Sequence, residues 1–353
     1  MPPKPGLAHS TLRQIIQVTI GGDRFRIHLS NEYGECALTI TSVHCAISAG
    51  EHRIDWSTDT EVSFCGQPWV VIPPGEVVTS DPFEISLGAL STIAVTIAFR
   101  EVPKGLTGHP GSRTTSFMQH GDLSASERMP AAIDVEHWYI LAGIDVECEG
   151  AGSVVVLGDS IADGRGSTTN GNDRWPNVLA RRFLRDPATV NVGVLNQGIG
   201  GNAVIQGGLG PTALERFERD VLRIAGVRWL IVACGVNDIG LDTPEVVRRL
   251  IGHYERMIQR ARAARIRAFC LPILPFKGHD YYNLERERSR LTVNEWIRAP
   301  GHFDACLDVE DAVCDPNARD SLFVEYHSGD GLHLNPVGYR RIAEAIDLAH
   351  FVE

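Results

Sequence analysis

From about residue 151, the chain alternates short apolar runs with longer segments whose apolar residues recur at helical spacing. A strand buried on both faces of a parallel sheet is a continuous apolar run, and the helices between such strands cover the sheet. We predict strands at 153–158, 190–195, 228–234, 267–273 and 303–308, and helices at 174–185, 212–224, 244–263, 285–298 and 336–348. Thr243, which precedes Pro244, is the predicted N-cap of the third helix. This order of elements predicts a parallel sheet with helices on both faces.

Residues 11–148 follow a different pattern, in which short segments typical of β-strands are separated by turns rich in glycine and proline. Two such segments, 15–20 and 24–29, flank Gly21-Gly22-Asp23 and predict a β-hairpin. Many short strands separated by regular turns predict an all-β sandwich or jelly roll. Because 353 residues are many for a single core, we predict two domains, 1–150 and 151–353.

The charge balance excludes several classes of partner. The net charge is −11, whereas proteins that bind nucleic acid present a basic surface. The same balance disfavours anionic membranes, and no apolar run approaches the ~20 residues of a membrane span. The N-terminal segment lacks the apolar core of a secretory signal, so we expect a cytoplasmic protein, although a signal removed beforehand would leave the same sequence. The oligomeric state stays open, homo-oligomers included.

The cysteines do not indicate a metal site. Eight cysteines are spread along the chain, and none of them forms a C-x-x-C pair. Their spacing therefore predicts no zinc site, and nothing else in the sequence indicates a cofactor. Their even number permits disulfides but does not argue for them in a chain of this size.

The apolar run 154–157 ends abruptly in Gly158-Asp159-Ser160. Ligands of open α/β sheets bind at the carboxyl ends of the strands, so a serine at this position faces a cleft and is a candidate nucleophile. Serine and aspartate are also ordinary turn and helix-capping residues, and this tripeptide alone does not decide between the two interpretations.

A second candidate element lies near the C-terminus, where Asp330 and His333 are three residues apart before the predicted last helix. At this spacing a carboxylate can hold the Nδ1 of an imidazole, fix its tautomer and stabilise the imidazolium. The alternative is a solvated surface pair. The pair follows the last predicted strand, and we therefore expect it at the same edge of the sheet as Ser160.

Two loops between these elements have the composition of an oxyanion hole. Residues 195–202 contain three glycines and follow the second predicted strand, and residues 233–238 follow the third. Glycines let backbone N–H groups approach a ligand, and an asparagine side chain adds a neutral donor for a developing oxyanion. Ordinary turn chemistry is the alternative for each loop taken alone.

Taken in order, these segments resemble the conserved blocks of the SGNH (GDSL-type) hydrolases. The four matching segments are residues 158–161, 196–201, 235–238 and 330–333. The resemblance implies a three-layer α/β/α domain of flavodoxin type with a five-stranded parallel sheet and no metal. It also implies Ser160 as nucleophile, His333 as base and Asp330 as the residue that orients the base. The N–H groups of Ser160 and Gly201 and the amide of Asn237 take the oxyanion-hole roles.

The preceding all-β region resembles a two-domain subgroup of bacterial SGNH esterases. The resemblance implies a serine esterase that acts on short-chain or carbohydrate-linked acyl groups, such as acetyl, so the expected partner is a small-molecule or carbohydrate ester. A lipase or phospholipase is one alternative, although no long apolar lid is visible in the sequence. A carbohydrate-binding protein with a vestigial hydrolase domain is another.

Several polar residues near these motifs have no assigned chemistry. We expect Asp159 to accept loop N–H groups rather than to act as a second base. Asp163 and Arg174 either touch the substrate or have a structural role, and His279 and His327 lie either at the cleft rim or on the surface.

Overall fold

A computed structural model describes residues 2–4, 6–241 and 244–352. The chain forms two compact units, Met1–Glu149 and Gly150–Glu353. Each unit has its own apolar core, which in the first unit lies among strands and in the second between a sheet and helices.

The first unit is built from antiparallel strands. They are β1 (Ser10–Gln17), β2 (Gly22–Ser30), β3 (Leu38–Ile47), β4 (Thr60–Glu61), β5 (Val70–Ile72), β6 (Val77–Thr79), β7 (Phe83–Leu87), β8 (Thr92–Phe99), β9 (Gly108–Pro110), β10 (Ser116–His120), β11 (Ile133–Val135), β12 (His137–Tyr139) and β13 (Leu141–Val146). A seven-stranded sheet has the order β11-β10-β1-β8-β3-β4, with β5 also paired to β3. A four-stranded sheet has the order β13-β2-β6, with β7 also paired to β2, and β9 pairs with β12.

The two larger sheets of this unit share one apolar core. Phe25, Ile27 and Leu29 alternate along β2 and are buried in the same cluster as Val95 and Ile97 of β8. Side chains at alternate positions of a strand lie on one face of the sheet, so the inner faces of the two sheets enclose this core. The predicted all-β sandwich is thereby confirmed.

The predicted hairpin at 15–20 and 24–29 is wrong, because β1 and β2 belong to different sheets. A two-residue hairpin turn needs a positive φ, and neither Gly21 nor Gly22 has one. A Cβ on Gly21 would lie 2.4 Å from the carbonyl oxygen of Leu87, and a Cβ on Gly22 would lie 2.5 Å from a methyl group of Val146. These glycines therefore permit close packing where the chain crosses from one sheet to the other.

The second unit alternates strands and helices. Its elements are β14 (Gly152–Gly158), α1 (Ser160–Asp163), α2 (Trp175–Arg185), β15 (Val192–Gly198), β16 (Val227–Ala233), α3 (Val236–Gly240), α4 (Val246–Ala263), β17 (Arg267–Cys270), α5 (Leu284–Arg298), β18 (Ala305–Cys306), α6 (Glu310–Val313), β19 (Cys314–Asp315), β20 (Ala318–Leu322) and α7 (Pro336–Ala345), followed by a 3₁₀ turn at Leu348–Phe351. Five strands form a parallel sheet in the order β15-β14-β16-β17-β18. This is the flavodoxin-type order, and it confirms the predicted five-stranded parallel sheet.

Helices cover both faces of this sheet. Leu230 and Val232 of β16 lie in one cluster with Tyr254 of α4 and Val293 of α5. On the other face, the ring of Phe351 contacts Phe183 of α2 and Trp229 of β16, and α7 packs against α2. The three-layer architecture is therefore as predicted. Within the described ranges, no helix is both long and apolar enough to cross a membrane.

The helix predicted at 212–224 is largely absent. The segment has turns followed by a short π-helix, Glu218–Leu222. Its backbone hydrogen bonds span four residues at Arg216 and five at Arg223, so the regular helical register is lost. The side chains of Arg216 and Asp220 form a buried ion pair within this segment. The local backbone is thus organised around an internal charge pair and not around an apolar stripe alone.

The third predicted helix also begins later than expected. Helix α4 starts at Val246, after Glu245, whose φ of 52° lies in the left-handed region. A residue with this backbone cannot continue a right-handed helix, which sets the boundary. The predicted cap, Thr243, lies outside the described residues.

Candidate active site

The order of the parallel strands brings three candidate loops to one edge of the sheet. Strand β14 lies between β15 and β16; the chain continues from β14 to β15 on one side and from β16 to β17 on the other. Ligand sites of such sheets lie at this switch point, beyond the carboxyl ends of the strands. Ser160 follows β14, Gly201 follows β15 and Asn237 follows β16. The sequence-predicted nucleophile is thus flanked by the two predicted oxyanion loops.

Ser160 is the first residue of the short helix α1. Asp159 caps this helix, because its side chain accepts the N–H of Ile161 at 2.9 Å. A Cβ on Gly158 would lie 2.3 Å from the Cβ of Ala162, so only glycine allows the chain to turn this sharply from strand to helix. Ser160 is consequently held at the strand end by the local backbone.

The side chains of Ser160, His333 and Asp330 form a continuous hydrogen-bonded chain. Ser160 Oγ lies 2.8 Å from His333 Nε2, and His333 Nδ1 lies 2.6 Å from Asp330 Oδ2. A carboxylate only accepts hydrogen bonds, so Nδ1 carries the proton and Nε2 presents a lone pair to the serine hydroxyl. This is the arrangement in which an imidazole can accept the proton of an attacking hydroxyl.

The surroundings keep His333 neutral and Asp330 ionised. Burial lowers the pKa of His333 below its ordinary value, and the charges of Arg165 and His279 act in the same direction, against the raising effect of Asp330. Burial opposes ionisation of Asp330, but hydrogen bonds from the His333 ring and from the N–H groups of His333 and Leu332 outweigh it and hold the pKa of this carboxyl well below its usual value. A neutral base next to an ionised acceptor is the state that acyl transfer requires.

The chain segment between the last strand of the parallel sheet and the residues Asp330 and His333 is longer than predicted. They do not directly follow the last strand of the parallel sheet, because α6 and the β19–β20 hairpin intervene. The ring of His327 supports the loop, since its Nδ1 accepts the N–H groups of Gly329 and Gly331. Asn335 then caps α7 by accepting two backbone N–H groups. The loop is thus fixed at both ends.

The loops that carry Gly201 and Asn237 contact each other directly. Asn237 is buried, and its Nδ2 donates to the carbonyl oxygen of Asn202 at 2.9 Å. Gly201 has a φ of 70°, and its carbonyl oxygen accepts the N–H of Leu209. The amide of Asn202 donates to the carbonyl oxygens of Leu209 and Pro211 and so supports the loop. Of the two asparagines, Asn237 is the one whose amide has a hydrogen left for a substrate.

The side chain of Arg216 connects several loops of this site, and Arg216 was not among the residues predicted from the sequence. Its side chain is fully buried and donates to the carbonyl oxygens of Gly158 at 2.9 Å and Gln197 at 2.7 Å. It also donates to Asn202 Oδ1 and pairs with Asp220 at 2.8 Å. The guanidinium therefore joins the ends of β14 and β15 to the loop that carries Gly201 and Asn202. In the sequence, Arg216 and Asp220 have the spacing of an ordinary pair on a helix surface.

Two further carboxyl groups are buried close to the reactive residues. Burial raises the pKa of Asp159 to about 7. Burial also raises the pKa of Asp238 to about 6, although this carboxyl accepts the N–H groups of Val204 and Ile205. Asp159 lines a cavity of about 30 Å³. Most of the other side chains around this cavity are apolar, and this apolar environment disfavours the charged form of the carboxyl. Both carboxyls hold loops in place, in agreement with the structural role expected for Asp159.

Replacing Asp159 with asparagine should make the stability of the protein less sensitive to a rise in pH between about 4 and 7. The folded carboxyl keeps its proton up to about pH 7, whereas the unfolded one loses it near the ordinary value of 3.8. The wild type therefore loses stability as the pH rises between these values, and the uncharged variant does not. Asparagine can still accept the N–H of Ile161. We expect the difference in Tm, variant minus wild type, to increase between about pH 4 and pH 7 and to change little above that range.

Asp55→Asn is the matched control for this measurement. Asp55 is an exposed cap that accepts the N–H of Ser57, so its substitution reports the effect of an asparagine cap in a solvated position. A difference in Tm for Asp159→Asn that stays constant or decreases with pH would contradict the prediction.

The structure also locates His279, Asp163 and Arg174, three of the polar residues near the motifs for which the sequence left two roles open. His279 is half-buried, and its ring centroid lies 6.3 Å from that of His333. Asp163 and Arg174 are both buried, and the guanidinium of Arg174 donates to the side chains of Asn177 and Asn172. Among the residues that the structure describes, no group of three or more histidine, cysteine or acidic side chains is arranged to hold a metal ion.

Comparisons with known proteins identify a family for this chain. Residues 156–341, more than half of the chain, match the family model of the GDSL-like lipase/acylhydrolase family. A search of curated proteins found no match. Among solved structures, a GDSL-like lipase from Bacteroides thetaiotaomicron VPI-5482 is 18% identical, with a TM-score of 0.41, and the alignment covers 56% of this chain and 87% of that one. A carbohydrate acetylesterase family member from Sinorhizobium meliloti is 15% identical, with a TM-score of 0.44 and coverage of 55% and 94%.

Proposed function

Because the chain belongs to the GDSL-like lipase/acylhydrolase family, we propose that it is a serine esterase with Ser160 as its nucleophile. The observation that carries this proposal is the hydrogen-bonded chain from Ser160 Oγ through His333 to Asp330, with distances of 2.8 and 2.6 Å. A surface ion pair would not need a serine hydroxyl on the far side of the imidazole. The order of groups is that of a nucleophile, its base and the acid that orients the base.

In the first half of the proposed reaction, Ser160 Oγ attacks the ester carbonyl carbon while His333 Nε2 accepts the hydroxyl proton. The carbonyl oxygen becomes an oxyanion, which receives hydrogen bonds from the N–H groups of Ser160 and Gly201 and from the amide of Asn237. The carbon–oxygen bond to the alcohol then breaks. The imidazolium of His333 gives its proton to the departing alkoxide, and the acyl group remains on Ser160.

In the second half, water attacks the acyl-enzyme and His333 accepts one of its protons. The second tetrahedral intermediate uses the same oxyanion donors. When it collapses, the bond to Ser160 Oγ breaks, the proton returns to the serine, and the carboxylic acid is released. Every proton in this cycle moves through His333, so the cycle requires no other group to transfer a proton.

We propose short-chain or carbohydrate-linked acyl groups, such as acetyl, as substrates. Ser160 and His333 are only 5% and 3% exposed, which favours a small acyl group that can reach a recessed hydroxyl. The net charge of −11 disfavours the anionic lipid surfaces on which many phospholipases work. A lipase acting on long acyl chains is the second candidate, since the family includes lipases by its name.

Hydrolysis of p-nitrophenyl esters from acetyl to dodecanoyl tests this proposal. We expect kcat/KM to be highest for the short acyl groups and to fall about tenfold or more towards dodecanoyl, because additional methylenes do not fit a recessed site. Parallel assays with acetylated xylo-oligosaccharides report whether carbohydrate-linked acetyl groups are preferred over the aryl ester.

Each of the other outcomes contradicts the proposal in a defined way. A kcat/KM that increases with chain length would identify the protein as a lipase. A folded protein that binds oligosaccharides but hydrolyses none of these esters would be a binding protein with a vestigial hydrolase domain. The Ser160→Ala variant serves as the blank for background hydrolysis.

A further inference from the structure

The two amide atoms of Asn237 have different partners. Its Nδ2 lies 2.9 Å from the carbonyl oxygen of Asn202, and its Oδ1 lies 3.2 Å from the hydroxyl of Tyr281. A backbone carbonyl can only accept, so the atom that faces Asn202 must be the nitrogen. The hydroxyl of Tyr281 therefore donates to the oxygen. The amide has one orientation that satisfies both neighbours, and it leaves the second hydrogen of Nδ2 available.

Tyr281 is held in place by several independent contacts. Its ring lies against Gly240, where a Cβ would be only 2.3 Å from the nearest ring carbon. Its N–H donates to Nδ1 of His279, and its carbonyl oxygen accepts from Arg286. The rings of Tyr281 and His279 pack edge to face, with centroids 4.6 Å apart. The tyrosine hydroxyl is thus presented to Asn237 from a fixed position.

An amide that turned over would harm the proposed reaction. The last torsion of an asparagine side chain has a broad, roughly two-fold profile, so an unrestrained amide readily exchanges its oxygen and nitrogen. With the oxygen facing the substrate, its lone pairs would repel the oxyanion that the nitrogen is needed to stabilise. Preorganised donors are effective because they need no rearrangement during the reaction.

We propose that Tyr281 is a positioning residue that, together with the carbonyl oxygen of Asn202, holds the amide of Asn237 with a hydrogen of Nδ2 facing the oxyanion. This inference rests on the proposed function, in which Asn237 is an oxyanion donor. Tyr281 itself does not touch the substrate. We therefore expect Tyr281 to help stabilise the transition state, in which the oxyanion exists, and not to affect binding of the ground-state ester.

The variant Tyr281→Phe tests this inference, because it removes the hydroxyl and keeps the ring that packs on Gly240. One neutral hydrogen bond is lost, so we expect kcat for p-nitrophenyl acetate to fall about tenfold with little change in KM. Tyr282→Phe is the matched control. The neighbouring hydroxyl of Tyr282 donates to Asp320 at 2.9 Å, away from the oxyanion loops, and its loss should leave kcat unchanged.

A double-mutant cycle with Asn237→Ala separates positioning from a general structural effect. If Tyr281 acts through Asn237, adding Tyr281→Phe to Asn237→Ala should cause no further loss of kcat. The Tm of each variant, measured by thermal unfolding, reports whether the fold is retained.

Two results would overturn the inference while the wild type remains an active esterase. The first is a Tyr281→Phe variant with kcat within about twofold of the wild type. The second is an equal loss of kcat in the presence and absence of Asn237, which would show that Tyr281 acts by another route. Failure of the proposed function is distinguishable, because the wild type itself would then lack esterase activity.

Discussion

The Ser160→Ala variant should lose ~10⁵-fold in kcat/KM for p-nitrophenyl acetate while its Tm stays close to that of the wild type. In the proposed reaction the oxygen of this hydroxyl forms the acyl-enzyme, and its proton passes along the hydrogen bond to His333. Its removal takes away covalent catalysis and leaves only the oxyanion donors. Steady-state hydrolysis and thermal unfolding measure the two parts of this expectation.

Ser167→Ala is the matched control. The hydroxyl of Ser167 lies in the loop after α1 and donates to the carbonyl oxygen of Gly164 at 2.6 Å, so it tests the loss of a serine close to the site but outside the reaction. A fluorophosphonate reagent should label the wild type and Ser167→Ala but not Ser160→Ala. Activity near the wild-type level in Ser160→Ala would exclude Ser160 as the nucleophile.

The Asp330→Asn variant should lose ~10³- to 10⁴-fold in kcat, because it presents the wrong tautomer of His333. Asp330 Oδ1 accepts the N–H groups of Leu332 and His333, so the carbonyl oxygen of an asparagine must take that position. Its NH₂ group then faces His333 Nδ1, where the carboxylate stood. The imidazole has to accept there, which moves its proton to Nε2 and leaves no lone pair for the serine hydroxyl.

Asp347→Asn is the control for this substitution. The side chain of Asp347 also accepts a backbone N–H, that of Ala349, as the cap of the 3₁₀ turn Leu348–Phe351, but within the described part of the chain it has no hydrogen bond to a histidine ring. Its kcat should equal that of the wild type. Retention of more than about a tenth of the wild-type kcat by Asp330→Asn would show that the carboxylate does not set the tautomer.

Ser160, Asp330 and His333 were predictable from the sequence because each lies next to a helix or strand that has a strong sequence pattern. A buried parallel strand is an uninterrupted apolar run, so its end locates Ser160. Cap chemistry likewise marks the start of α7, which locates Asp330 and His333 just before it. The α6 helix and the β19–β20 hairpin, each only a few residues long, gave no comparable signal.

The supporting residues could not be predicted in the same way. Arg216 meets the carbonyl oxygen of Gly158 across 58 residues of sequence, and Tyr281 meets Asn237 across 44. Neither side chain lies in a motif, and each owes its role to contacts that only the folded chain creates. Gly21 and Gly22 are the opposite case, in which a clear sequence pattern led to a wrong prediction. Their pattern is typical of a hairpin turn, but in the structure these glycines permit close packing between two sheets.

The buried guanidinium of Arg216 has a consequence for the dynamics of the site. Its hydrogen bonds reach the ends of β14 and β15 and the side chain of Asn202, so the oxyanion loop cannot open without leaving a desolvated cation with unmatched donors. Local opening of this loop therefore has a high free-energy cost. We therefore expect the backbone N–H groups of this loop to exchange slowly with solvent, and we expect activity and fold to be lost together in a single cooperative step.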